Sequence, residues 1–156
     1  MNSASVLLLA CLSAALLTVV VLDWRWRRIP NWLTLGIAIG APLLWIADGV
    51  SLWPDVALRV AVATAVLAVL TPVFLAGGMG GGDVKLLVAL TLWLRPAEAW
   101  TVMIVTAISG GVLTLVMLAE HRWRRRPTTL ETPYGLAIAG AGLLVVAERY
   151  LHQFGG

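Results

Sequence analysis

From residue 6 to residue 22 the chain carries no charged side chain. Five further stretches, 32–47, 56–76, 84–94, 97–119 and 134–147, are nearly as apolar. In hydrocarbon no water is available to satisfy backbone N–H and C=O groups, so a segment of this kind must close its hydrogen bonds internally, as a helix does. A spanning helix takes about 20 mostly apolar residues. The expected fold class is therefore an all-α integral membrane protein. About six transmembrane helices form one bundle, and 1–156 is expected to be one transmembrane domain without a soluble domain or linker. The charges that intrude are few: Arg59 near the start of the third stretch, Lys85 at the start of the fourth, and Glu98 at the edge of the fifth.

Composition agrees with this reading. Hydrophobic residues make up 60% of the 156 and charged residues 12%, against about 25% charged in soluble domains; mean hydropathy is +0.93. A net charge of +3 does not imply nucleic acid as a partner, because the arginines gather at the ends of apolar runs rather than along one helix face. The first stretch is not expected to be a signal peptide, since its positive charges follow it, at Arg25, Arg27 and Arg28, instead of preceding it. The single cysteine, Cys11, allows no internal disulfide, and His121 and His152 lack a partner at ligand spacing. No metal site is expected.

The fourth stretch is too short. Eleven helical residues rise about 16 Å, against a hydrocarbon core of about 30 Å. Either this helix continues past Arg95 and Pro96, or the glycine-rich stretch before it dips into the membrane. Irregular backbone is tolerated there only where protein or a water-filled cavity satisfies it.

Orientation follows from the cations. With the amino terminus outside, the inner loops hold Arg25, Arg27, Arg28, Lys85, Arg122, Arg124, Arg125 and Arg126, and the outer side holds Arg59, Arg95 and Arg149. Short cytoplasmic loops are enriched in Lys and Arg, so the richer side is read as the cytoplasm. Both termini are then periplasmic, in a bacterial inner membrane. Trp24, Trp26, Trp32 and Trp123 fall at the inner boundary and Trp45, Trp53, Trp93 and Trp100 at the outer one, as aromatic belts do.

Of the eight acidic residues, six have ordinary places. Asp48 and Asp55 bracket an outer loop, Glu98, Glu120 and Glu148 sit at helix ends, and Glu131 lies in a polar inner loop. Asp23 and Asp83 remain. The first ends segment one; the second opens segment four, directly after Gly77-Gly78-Met79-Gly80-Gly81-Gly82. Both fall on the inner side, so they can meet at one depth. Two neighbouring carboxylates cannot both ionise cheaply and share a proton. The ionised one can draw a proton from water that attacks a peptide carbonyl, while the protonated one polarises that carbonyl. No metal or cofactor is required. The ordinary alternatives are a helix N-cap for Asp83 and an interfacial partner for nearby arginines for Asp23.

The glycines favour the chemical reading, because glycine admits close approach of another backbone. Gly80 and Gly82 would leave room for an extended substrate beside Asp83. Pro30 is expected in the first turn of segment two, Asn31 to brace the loop carrying Asp23, and Lys85 to pair with Asp83.

Asp23 with Arg28-Ile29-Pro30-Asn31, and Gly80-Gly81-Gly82-Asp83 with Val84-Lys85-Leu86, resemble the two signatures of type IV prepilin peptidases. The second is a GxGD motif, shared with presenilin-like proteases. Pro133-Tyr134-Gly135-Leu136-Ala137 resembles a third, weaker family feature. The resemblance spans nearly the whole chain. It implies a membrane aspartic endopeptidase that removes the short basic leader of prepilins or pseudopilins at the cytoplasmic face, with Asp23 and Asp83 catalytic and no cofactor. Larger members carry a cytoplasmic segment with four zinc-binding cysteines and methylate the new amino terminus. This chain resembles the short form of tight-adherence (Flp-type) pilus systems, for which methylation is not expected. Two other classes stay open on the residues alone: a small transporter or channel subunit using the aspartates as an ion site, and a non-catalytic scaffold of a secretion assembly.

The charge argument is checked by cysteine accessibility. A cysteine introduced near Arg125 is expected to react only from the cytoplasm and one near Gly156 only from the periplasm. Labelling of the Arg125 region from outside intact cells overturns the topology.

Overall fold

The computed structural model describes residues 2–124 and 134–154, the side chains of 120–124 and 152–154 excepted. Arg125, Arg126, Glu131, Pro133 and Gly156, which entered the charge, loop and motif readings above, lie outside the described residues. Among the described residues six α-helices follow in order: α1 (Ser3–Trp26), α2 (Asn31–Ala47), α3 (Ala57–Leu75), α4 (Gly81–Thr91), α5 (Pro96–Arg124) and α6 (Tyr134–Phe154). Among the described residues there is no strand. α1, α5, α6, and α3 together with the turn at Leu52–Val56 that leads into it, are long and apolar enough to cross a membrane, whereas α2 and α4 are shorter. Their surface is that of a protein solvated by lipid: Leu7, Leu17, Ile39, Val69, Ile108 and Leu115 are all exposed.

Local chemistry sets the ends of these helices. Asn2 caps α1 by accepting the Ser5 N–H at 2.8 Å. Arg27 then terminates it in a left-handed conformation, φ 52°, with its N–H on the Asp23 carbonyl at 3.0 Å, the usual geometry of a helix stop. α1 thus runs a full turn beyond the apolar stretch, and Asp23 is a helical residue rather than the start of a loop. Pro30 stands one position before the first turn of α2, as its extended cap residue. Gly77 turns the chain after α3 at φ 75°, where any other residue would be strained. α4 does not continue past Arg95: it ends at Thr91, and Pro96 opens α5, a first-turn position where its missing N–H costs nothing.

α4 occupies the middle of the bundle. It packs against α2, α3 and α6; α1 joins α2 to α6, and α5 joins α6 to α3. Leu86, Leu87 and Leu90 of α4 are buried with Leu9, Leu12 and Leu16 of α1 and Ile138 of α6 in one core. α6 presents small residues to its neighbours. A Cβ on Gly142 would lie 2.8 Å from Leu90 and 3.0 Å from Leu16, so this glycine lets α1 and α4 close on the same helix.

Two tryptophans depart from the belt expectation. Trp24, Trp26, Trp32, Trp53 and Trp100 are exposed, but Trp93 is buried and donates its indole N–H to the Ile37 carbonyl at 2.7 Å. Half-buried Trp45 donates to the Leu92 carbonyl at 2.9 Å. Each ring satisfies its one donor on a backbone carbonyl of another segment, and together they fasten α2 to the end of α4. At the same end of the bundle Glu98 accepts from Arg149 Nε at 2.9 Å and from the Arg95 N–H at 2.7 Å.

Gly40 is where α2 makes room for Trp93, whose ring carbon would lie 2.6 Å from an added Cβ. Gly40→Ala should destabilise the detergent-solubilised protein by about 1–3 kcal/mol, the usual cost of overpacking. Gly36→Ala, with nothing within 4 Å, should not. Thermal unfolding of the two variants makes the comparison, and equal midpoints would refute it.

Candidate active site

Asp23 lies on the last turn of α1 and is 4% exposed, and Asp83 lies in the first turn of α4 and is 8% exposed. Both are buried far beyond what carboxylates tolerate without hydrogen-bond donors. The donors are backbone amides at helix N-termini. Asp23 Oδ2 accepts the Leu136 N–H at 2.9 Å, one of the first-turn donors that α6 cannot satisfy itself. Asp83 faces back to the Gly80 amide ahead of its own helix, the third-position half of a capping box. The Gly135 amide faces both carboxylates.

The two carboxylates are close enough that the charge of Asp23 acts on Asp83. Arg27 acts electrostatically on Asp23. α1 and α4 have at most marginal contact with each other; α2 and α6 bridge them. What draws the acids together is the start of α6. Its backbone must come very near, and only glycine permits that. A Cβ on Gly135 would stand 2.9 Å from Asp23 Oδ2 and 2.7 Å from Ile29 Cδ1, and one on Gly80 would stand 2.8 Å from Asp83 Oδ2.

The acids open into a cleft of about 760 Å³, lined by the 27–31 segment on one side and by Gly77–Gly82 on the other. It is roomy enough for water and an extended peptide. Gly82 lies against Ile29, whose Cβ would be 3.2 Å from an added methyl. The remaining site residues divide. Pro30 and Asn31 line the cleft. Lys85 does not pair with Asp83; its ammonium donates to Asn31 Oδ1 at 3.0 Å, because residue 85 lies about 200° around the helix from residue 83. Asn31 accordingly holds Lys85 rather than the loop carrying Asp23.

Three contributors escaped the sequence reading. The Gly135 and Leu136 amides belong to a motif that stood out without a role, and a backbone N–H has no sequence signature of its own. Ile29 was part of the first motif, yet its contact with Gly82 and its position against Gly135 emerge only when α1, α4 and α6 are assembled. Fold and site together define a helical membrane protein with a paired-carboxylate cleft at one end of its bundle.

The sequence profile of the type IV leader peptidase family matches residues 10–115, which include both aspartates, and the chain belongs to that family. Two curated relatives, from Burkholderia pseudomallei strains 1026b and K96243, each carry the name prepilin leader peptidase/N-methyltransferase. Each is 35% identical over 158 residues, covering 93% of this chain and 48% of the relative. The chain thus spans about half the length of the curated relatives it matches. No solved structure matches it.

Gly135 offers a test that leaves both acids in place. Gly135→Ala should push the Asp23 carboxylate aside, and misplacement by about 1 Å costs on the order of a hundredfold in rate. The expected outcome is that loss in precursor cleavage by a protein that inserts and purifies normally. Undiminished cleavage would show that the close approach of α6 is not needed.

Proposed function

We propose that the chain is a single membrane-embedded domain acting as an aspartic endopeptidase. It removes the short basic leader of prepilin or pseudopilin precursors at the cytoplasmic face of the bacterial inner membrane. The observation that carries this reading is the convergence of two buried carboxylates on one amide, Gly135, beside a glycine-lined cleft. The names of the Burkholderia relatives support leader cleavage as the reaction. The assignment extends to cleavage only.

The mechanism follows from the pair. With one proton shared between Asp23 and Asp83, the ionised carboxylate takes a proton from a water held between them. The resulting hydroxide attacks the scissile carbonyl carbon, and the protonated carboxyl gives its proton to the carbonyl oxygen. The tetrahedral intermediate then collapses. Its C–N bond breaks, the proton taken from water passes to the leaving amine, and the second hydroxyl returns its proton to the dyad. Positioned acid–base groups of this kind contribute typically 10²–10⁴-fold each. The amides of Gly135, Leu136 and Gly80 hold the acids in register through both halves of the reaction. Substrate enters as extended backbone, for which the glycine-rich wall at Gly77–Gly82 leaves space.

Leader removal from a co-expressed precursor, read by mass spectrometry, tests the reading. Asp23→Asn and Asp83→Asn should each lose cleavage by on the order of 10²–10⁴-fold. The double variant should lose little more, since groups that act as a unit give non-additive losses. Asp55→Asn, on a residue that accepts from the Ser51 hydroxyl at 2.7 Å at the other end of the bundle, should cleave normally. Efficient cleavage by well-inserted Asp83→Asn protein would end the dyad mechanism.

A further inference from the structure

The helices around α4 do not close. α2 leans on α1 and α4, α3 leans on α4 and α5, and α6 ties the far side together, but α2 and α3 have at most marginal contact with each other. Between them one face of α4 is left open. The opening is a groove of about 510 Å³, floored by Val88 of α4 and Leu92 just past its end, and walled by Leu35 and Ala38 of α2 and Leu67 of α3. Its walls look outward, with Leu35 59% and Leu67 46% exposed.

Any such face in a bilayer can be covered by lipid chains. Two features ask for a more specific occupant. The groove runs into the catalytic cleft, since Asn31 lines both, and the Lys85–Asn31 hydrogen bond of 3.0 Å marks the junction. Its floor is also the helix that carries Asp83 in its first turn. A helix laid along α4 in this groove therefore ends level with the first turn of that helix, on its Lys85 side, from which extended backbone passes Asn31 to reach the cleft. Two helices that both pack on a third, and not on each other, leave the place where a further helix packs by close van der Waals contact.

We propose that the α2–α3 opening is the docking groove for the apolar membrane helix of the substrate, the segment that directly follows the bond to be cut. This rests on the peptidase reading above. The apolar part of the helix lies on Leu35, Ala38, Leu67, Val88 and Leu92. At the polar Asn31–Lys85 pair the helix gives way to extended backbone, which passes into the glycine-lined cleft. The pair sets the depth at which the helix ends and so which peptide bond reaches Asp23 and Asp83. Recognition is by one apolar helix at a fixed depth, a helix-in-groove mode.

Photo-crosslinking tests this in membranes containing the full chain and a membrane-anchored precursor with a basic leader followed by an apolar helix. A benzophenone amino acid replaces Leu35 or Leu67 in the Asp83→Asn protein, with Leu17 and Ile104, exposed on α1 and α5, as control positions. Crosslinks to the precursor's helix are expected from 35 and 67 and not from 17 and 104. In the active protein, Ala38→Trp and Leu67→Trp should raise KM about tenfold with kcat within about twofold, the pattern of lost binding rather than lost chemistry. Leu17→Trp should change neither. Equal crosslinking from all four positions, or unchanged KM in both groove variants, overturns the groove. If the unaltered protein does not cleave, the peptidase reading falls instead. Crosslinking, which needs no hydrolysis, then still decides whether the groove takes the helix.

Discussion

The hydrogen bond from the Leu136 N–H to Asp23 Oδ2, 2.9 Å long and spanning 113 positions of sequence, is the contact on which the site depends. α1 and α4 carry the two acids but have at most marginal contact with each other. Their carboxylates meet because the first turn of α6 offers amides that a helix cannot use itself. One is taken by Asp23, and the next, Gly135, faces both acids. The same helix spaces α1 and α4 deeper in the bundle, where Gly142 admits Leu16 and Leu90 to its surface. Gly135 and Gly142 are seven residues apart, close to two helical turns. They therefore share one face, which sets helix separation along its length and carboxylate position at its end.

Burying two acids this deeply would ordinarily be prohibitive. The cost is offset by helix N-termini, whose free N–H groups and positive dipole ends favour negative charge. The modest reading of Asp83, as a residue that ends a helix properly, is thus a condition of the chemical one. A carboxylate used as a cap is held at a fixed place and orientation, which a reacting group requires. The glycines act at the same level. At Gly80 and Gly135 a methyl would collide with the acids themselves, so these residues make the approach of backbone to carboxylate possible, beyond leaving space for substrate.

Much of this was legible in the sequence because membrane helices announce themselves by apolar length, and because two acids without an ordinary role are conspicuous among so few charges. The short α4 and the glycine run before it could be read from spacing alone. The remainder depended on partners distant in sequence. Asp23 reads as a loop residue after an apolar run, since nothing nearby shows that α6 will bury it and extend α1 by a turn. Trp45 and Trp93 have the spacing of an interfacial belt. Only the carbonyls of Leu92 and Ile37, which accept their indole N–H groups, turn them inward. Lys85 sits two residues from Asp83 and invites pairing, but helical geometry sends it to Asn31. Such errors share a cause: sequence proximity stands in for spatial proximity until the bundle is assembled.

On the proposed peptidase reading, the shortness of α4 resolves a conflict built into hydrolysis within a membrane. Water must reach the carboxylates, while the substrate helix belongs in lipid. A central helix of full length would be covered by neighbours along its whole course and would carry its first turn out to the headgroups. With 11 residues and about 16 Å of rise, α4 carries Asp83 in its first turn, at the base of a cleft lined on one side by glycines. Its flank between α2 and α3 stays apolar and open. One short helix therefore meets two solvents, water at its first turn and hydrocarbon along its side. On that reading, the acids it helps to bury lie where the two meet, and an extended peptide emerging from a membrane helix would pass them.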